Sequence, residues 1–148
     1  MCVLRVAGKD FDVDSHLARS GLTAYKVFRA GEPRSTSRPE KRHEMSGFRV
    51  HVSRHKPDDL PAQIQDAIAF LKEHSNGIAA LRSAQGVEDM RLDFAVDLRI
   101  DRETTMAQFE YFPPELVSLA GALGLGLELS VYPQDLLELA EGRKTAKN

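Results

Sequence analysis

Apolar residues recur along this chain at two different intervals, and the switches between them mark out its elements. Between Lys56 and Gln85 the interval is three to four, so Ile64, Ala67, Ile68 and Leu71 share one face of a 3.6-residue spiral. Asp58 or Asp59 can cap the free N–H groups at its start, and Pro61 suits a first helical turn. Asn76-Gly77 reads as a stop, after which Ile78, Leu81 and Ala84 resume the stripe in a shorter helix. Elsewhere the interval is two. Phe48, Val50 and Val52 alternate with Arg49, His51 and Ser53 over 47–54, and Leu92, Phe94, Val96, Leu98 and Ile100 face inward over 91–100. Shorter strand-like runs fall at 2–7, 24–30, 107–112 and 125–132. In the last of these Leu125, Leu127, Leu129 and Val131 face inward.

Two more helices are signalled. Asp10, Asp12 and Asp14 precede a short helix that Gly21 closes, and carboxylates suit the positive end of its dipole. The same spacing invites a calcium-loop reading. Such a loop needs Gly at its sixth position and Glu at its twelfth, where this chain has Ser15 and Gly21, so capping is the better account. Pro113-Pro114 opens a second helix with Leu116, Leu119, Ala120 and Leu123 as its stripe and Gly124 as its end.

The order is then β-α-β, β-αα-β, β-α-β. It predicts one α+β domain over 1–133, with a mainly antiparallel sheet of about six strands roofed by helices on one face. The first four strands follow a ferredoxin-like βαββαβ order. Residues 134–148 read as a short leucine-rich helix or turn and a polar tail.

Composition narrows the classes. At 148 residues, 42% hydrophobic and 28% charged, the chain has the makeup of one ordinary globular domain. A net charge of −2 gives no overall pull toward nucleic acid or an anionic membrane. No apolar run approaches the roughly 18–20 residues of a membrane span, and MCVLRVAG lacks the features of a signal peptide. The single Cys2 suits a reducing compartment, so a cytoplasmic protein of bacterial type is expected.

Candidate chemistry is sparse. Asp93 and Asp97 share a strand face near Asp101 and, across a hairpin, Glu110; paired carboxylates can do acid–base work. Ion pairs with Arg91 and Arg99 on an exposed face explain them more simply. His51 and His55 would stand about 13 Å apart on a strand, too far to share a metal. The glycines of AGALGLG close a helix and open a strand, the reverse of a dinucleotide-binding turn. There is no G-x-S-x-G elbow. Phe109, Tyr111 and Phe112 read as core and rim packing rather than a base-stacking platform, since basic residues do not interleave with them. The polar stretch 31–46 carries Arg34, Arg38, Lys41, Arg42 and His43 among Glu32, Glu40 and Glu44, and reads as an exposed hairpin connection or a basic arm.

Two stretches, FDVDSHLARSGLTAYKVFRAGEP and FEYFPPELVSLAGALGLGLELSVYP, carry a family resemblance. From about Val3 to Tyr132 the chain resembles the bacterial domain-of-unknown-function family catalogued as 4279. That resemblance implies an α+β fold and supplies no catalytic residue.

The first functional expectation is a non-enzymatic binding or interaction domain, of the kind that neutralises a toxin, with a protein partner and without cofactor, metal or specific nucleic acid. Such partners act by surface complementarity, which leaves no short motif. The alternative is a small enzyme or binder of an anionic ligand. Its site residues would be Arg49 and His51 on the sheet face, with Arg34 and Arg38 from the basic loop.

Overall fold

The structure, a computed structural model, describes residues 1–101 and 103–133. The segment read as a terminal helix or turn and tail, 134–148, lies outside them. Among the described residues five strands form one sheet: β1 (Cys2–Gly8), β2 (Lys26–Phe28), β3 (Ser46–Ser53), β4 (Asp89–Asp97) and β5 (Gly126–Tyr132). They lie in the order β2-β3-β1-β4-β5. β3 is antiparallel to both β1 and β2, β4 is antiparallel to β1, and β5 is parallel to β4. β1 and β2 therefore run the same way with β3 between them, and β3 and β4 the same way with β1 between them. These are two interleaved β-α-β units, the arrangement that the ferredoxin-like order implies.

Four helices among the described residues cover one face: α1 (Val13–Ser20), α2 (Leu60–Glu73), α3 (Ser75–Arg82) and α4 (Pro114–Ala122). Their local signals act as the sequence suggests. Asp12 accepts from the Ser15 N–H at 3.2 Å and Asp59 from the Ala62 N–H at 3.1 Å, each satisfying a donor of a first turn. Gly21 closes α1 at φ 70°. The period-two and period-3.6 stripes meet in one core. Leu4, Phe48, Leu92 and Phe94 from the sheet pack against Ala67, Leu71, Ile78, Leu81 and Leu116 from the helices, all essentially sealed from solvent. Burying a side chain of this size contributes about 1.5–3 kcal/mol.

Four expectations are corrected. Among the described residues the sheet has five strands, because 107–112 forms none, and it is mixed, because β5 runs parallel to β4. β4 already has β1 on one side and β5 on the other, so no edge there is left for 107–112 to pair with. That segment is held by side chains instead: Gln108 donates to the Asp97 carbonyl at 2.9 Å and accepts from the Arg99 N–H at 2.8 Å. Phe112 packs on Phe94, but Phe109 and Tyr111 are 87% and 72% exposed rather than part of core and rim. Second, β4 ends at Asp97, which leaves Leu98 and Ile100 exposed, and Leu129 and Val131 on the edge strand are also part-exposed. Third, the helical break falls at His74, and Gly77 lies inside α3. Glycine is required there because a Cβ would stand 2.1 Å from the Ser20 carbonyl oxygen of α1. Fourth, a register shift between Cys2 and Val3 accompanies an inward turn of Ser53, whose hydroxyl donates to Asp66 at 2.7 Å.

Cys2 lies fully buried in this core, and burial pushes its thiol pKa well above the ordinary value. The native protein is therefore expected to leave a thiol-disulfide reagent such as dithiobis-nitrobenzoate unreacted at pH 8, with one thiol released on denaturation. Stoichiometric labelling of the folded protein within minutes would contradict that burial.

Candidate functional site

On the face away from the helices, strand register creates a feature that linear spacing hides. Lys26 of β2 pairs with Arg49 of β3, Arg49 pairs with Arg5 of β1, and Arg5 pairs with Arg91 of β4. Four cations thus stand in one row across four strands, each strand about 4.8 Å from the next. Like charges directly opposite one another destabilise a sheet. Half of the row is compensated. Arg5 reaches Asp93 at 3.3 Å and Glu128 at 3.1 Å, while Arg91 makes two hydrogen bonds to Asp89 and lies 3.3 Å from Glu128. Ser130 donates to Asp93 at 2.6 Å and fixes that carboxylate in place. Lys26 and Arg49 form no ion pair among the described residues.

The uncompensated half opens into a cleft of about 360 Å³ lined by Arg5, Lys26, Phe28, Arg34, His43 and Arg49. The loop from Gly31 builds one wall by folding as a hairpin, with a bridge between Pro33 and Arg42. The Arg34 N–H donates to the Lys41 carbonyl at 2.7 Å and the His43 N–H to the Glu32 carbonyl at 2.9 Å. This pairing returns Arg34 and His43 to the sheet. Arg34 lies 3.9 Å from Glu44, a long contact that leaves its charge only partly compensated. The His43 ring stacks on Phe28 at 4.6 Å. Its own burial, with Arg34, Lys26 and Arg49 nearby, holds the imidazole below its usual pKa, so it is neutral at pH 7.

Of the sequence-predicted residues, Arg34 and Arg49 come together here. His51 lies two positions along β3 on the same face, its ring stacked on Tyr25 at 3.9 Å, outside the cleft lining. Arg38 sits in the exposed turn of the hairpin and does not line the cleft. Lys26, Arg5 and Phe28 stand outside the sequence-based candidates, because only the pairing of strands brings them beside Arg49, while His43, legible only as part of the basic stretch, is returned to the sheet by the hairpin. The carboxylates are also redistributed. Asp93 serves Arg5, Arg91 bonds Asp89 of its own strand, and Arg99 bonds Glu110 at 2.6 Å, so the expected pairing of Asp93 and Asp97 with Arg91 and Arg99 does not form.

The family model for a domain of unknown function, DUF4279, matches residues 1–134 of the 148. The chain belongs to the DUF4279 family. No curated protein and no solved structure matches this DUF4279 domain. Among its described residues, no helix is long and apolar enough to cross a membrane.

Proposed function

We propose that this DUF4279 domain is a non-enzymatic binding module whose open sheet face recognises an anionic group, in a cytoplasmic setting that a single buried thiol suits. The row of four cations carries the reading, because only Arg5 and Arg91 have carboxylates to neutralise them. Glu44 and Asp89 also line the cleft, but Lys26 and Arg49 stand side by side in no ion pair among the described residues, so their repulsion falls when an anion seats between them. Arg49→Gln is accordingly expected to do two opposite things. Removing a like-charge neighbour should stabilise the fold by about 0.2–1 kcal/mol, or roughly 1–3 °C in Tm. It should also weaken anion binding tenfold or more. Amide chemical-shift titration with inorganic phosphate at constant ionic strength checks the second effect. Saturable shifts at Lys26, His43 and Arg49, lost in Arg49→Gln, support the site; shifts absent in the wild type sink it.

A protein partner is the second reading, and the 106–111 segment favours it. Met106, Phe109 and Tyr111 stand almost bare there. A partner recovered in fixed proportion from the native host should be lost with Phe109→Asp and kept with Arg49→Gln. Recovery unaffected by Phe109→Asp would remove that support.

A further inference from the structure

The cleft also limits what kind of anion fits, and this step rests on the anion-site reading. Three features of it bear on ligand chemistry. The first is charge count. Lys26 and Arg49 are directly opposed, with Cα atoms of antiparallel partners about 4.5–5.5 Å apart, and neither is in an ion pair among the described residues. A monoanion seated between them leaves one net positive charge uncompensated. A phosphate monoester carries about −1.5 to −2 at pH 7 and offers three acceptor oxygens, enough for the guanidinium fork and the ammonium together.

The second feature is the extent of the positive surface. Asp93, Glu128 and Asp89 neutralise the row from Arg5 onward, and Glu44 stands on the opposite wall beside Arg34. The uncompensated stretch is two strands wide. An extended polyanion would run from it onto carboxylates, whereas a single phosphate would not. The third feature is the wall beside the charges, where Ala7, Phe28 and Met45 give apolar surface. A volume of about 360 Å³ lies at the low end of small-molecule sites, which span roughly 300–1,000 Å³.

We infer that the cleft takes a small phosphate monoester carrying a compact apolar body, with the phosphate between Lys26 and Arg49 and the body against Phe28 and Met45. Binding requires no covalent step, and the ligand leaves as it arrived.

Calorimetric titration of the intact protein at pH 7.5 and fixed ionic strength tests this with three probes: phenyl phosphate, phenyl sulfate and inorganic phosphate. Phenyl phosphate should bind at least tenfold more tightly than either of the others. Lys26→Gln and Arg49→Gln should each weaken it tenfold or more, with Tm unchanged or raised, while Arg38→Gln should leave it intact. Phenyl sulfate binding as tightly as phenyl phosphate would overturn the preference for a dianion and leave the anion site standing. Inorganic phosphate binding equally well would overturn the apolar body. A phosphopeptide or an anionic vesicle bound tenfold more tightly than phenyl phosphate would overturn the small-molecule assignment. No binding of any of these by the wild-type protein would overturn the anion site itself.

Discussion

Gly8→Ala is expected to lower stability by about 3 kcal/mol or more, the upper end of what overpacking produces. Gly8 ends β1, and the turn leading into β4 passes directly over it. A Cβ built on Gly8 would lie 1.6 Å from the Gly86 carbonyl oxygen and 3.1 Å from the Glu88 nitrogen. Those atoms are backbone and cannot swing aside as a flexible side chain could. The Glu88 N–H also donates to the Ala7 carbonyl at 3.0 Å, so displacing the turn breaks a hydrogen bond that joins it to β1. Gly86 is itself pinned on its far side, at φ 84° with the Asp10 carbonyl where its own Cβ would be. The turn has nowhere to retreat. For a domain of this size the loss corresponds to roughly 6–12 °C in Tm, with little change in the urea m-value. Gly121→Ala supplies the contrast. Gly121 lies on the exposed side of α4 with open space where a Cβ would go, so alanine should stabilise by about 0.5–1 kcal/mol. Urea unfolding of both variants decides the matter. Gly8→Ala within 0.5 kcal/mol of wild type would mean that the turn does not press on β1 as described.

Displacing that turn should also disturb the cationic face. Asp89 follows it directly and holds the Arg91 guanidinium by two hydrogen bonds, so the compensated end of the row depends on where the turn lies.

What the sequence disclosed, and what it withheld, divides along the range of the interaction. Helices and caps are local matters, so Asp12, Asp59, Gly21 and the stripe of α2 were legible from neighbours three and four residues away. Strand alternation was legible as well, and it gave the outward direction of Arg49. Pairing was not. The parallel setting of β5 on β4 follows from a crossover through α4, and the period-two pattern of β5 is the same for either direction. The alternation at Phe109 and Tyr111 looked like a strand for the same reason. Alternation says what a strand's two faces would be, not whether a free edge exists to receive it. The candidate site shows this limit most sharply. Arg5, Lys26, Arg49 and Arg91 are scattered over 87 positions of sequence and become neighbours only through three pairings. Arg34 and Arg38 looked equivalent in the basic loop, yet the hairpin bridge at Pro33 and Arg42 returns the first to the cleft and carries the second away.

Gln63 is the residue whose replacement separates packing from hydrogen bonding in this core. It lies on the buried face of α2 with no solvent exposure, among Ile64, Ala67 and other residues chosen by the helical period for their apolar character. Its amide nitrogen donates to the Lys56 carbonyl and to the Ala95 carbonyl, both at 2.9 Å. One side chain thus ties the segment before α2 to the end of β4, where the Asp97 N–H also reaches the Pro57 carbonyl at 3.3 Å. Gln63→Leu preserves most of the volume and deletes both donors. The Lys56 carbonyl keeps the Asp59 N–H as a donor at 3.1 Å, so the loss falls on the Ala95 carbonyl, and a buried polar group that loses its partner costs about 1–3 kcal/mol. Leucine also removes the buried Gln63 Oε1, which has no partner among the described residues, so the variant should lose about 1–2 kcal/mol even though leucine is the more apolar residue. Gln63→Glu adds a pH signature. A carboxyl buried at this position has its folded pKa raised above the unfolded value near 4.3, so its protonated form is the one the fold tolerates. The penalty is then small below about pH 4 and grows as pH rises through that unfolded value toward neutrality. Urea titrations at pH 4 and pH 7 should show the gap between Gln63→Glu and wild type widening at the higher pH, while the gap for Gln63→Leu stays constant. A leucine variant as stable as wild type would show that the Ala95 carbonyl finds another donor and that α2 is held to β4 by apolar contact alone.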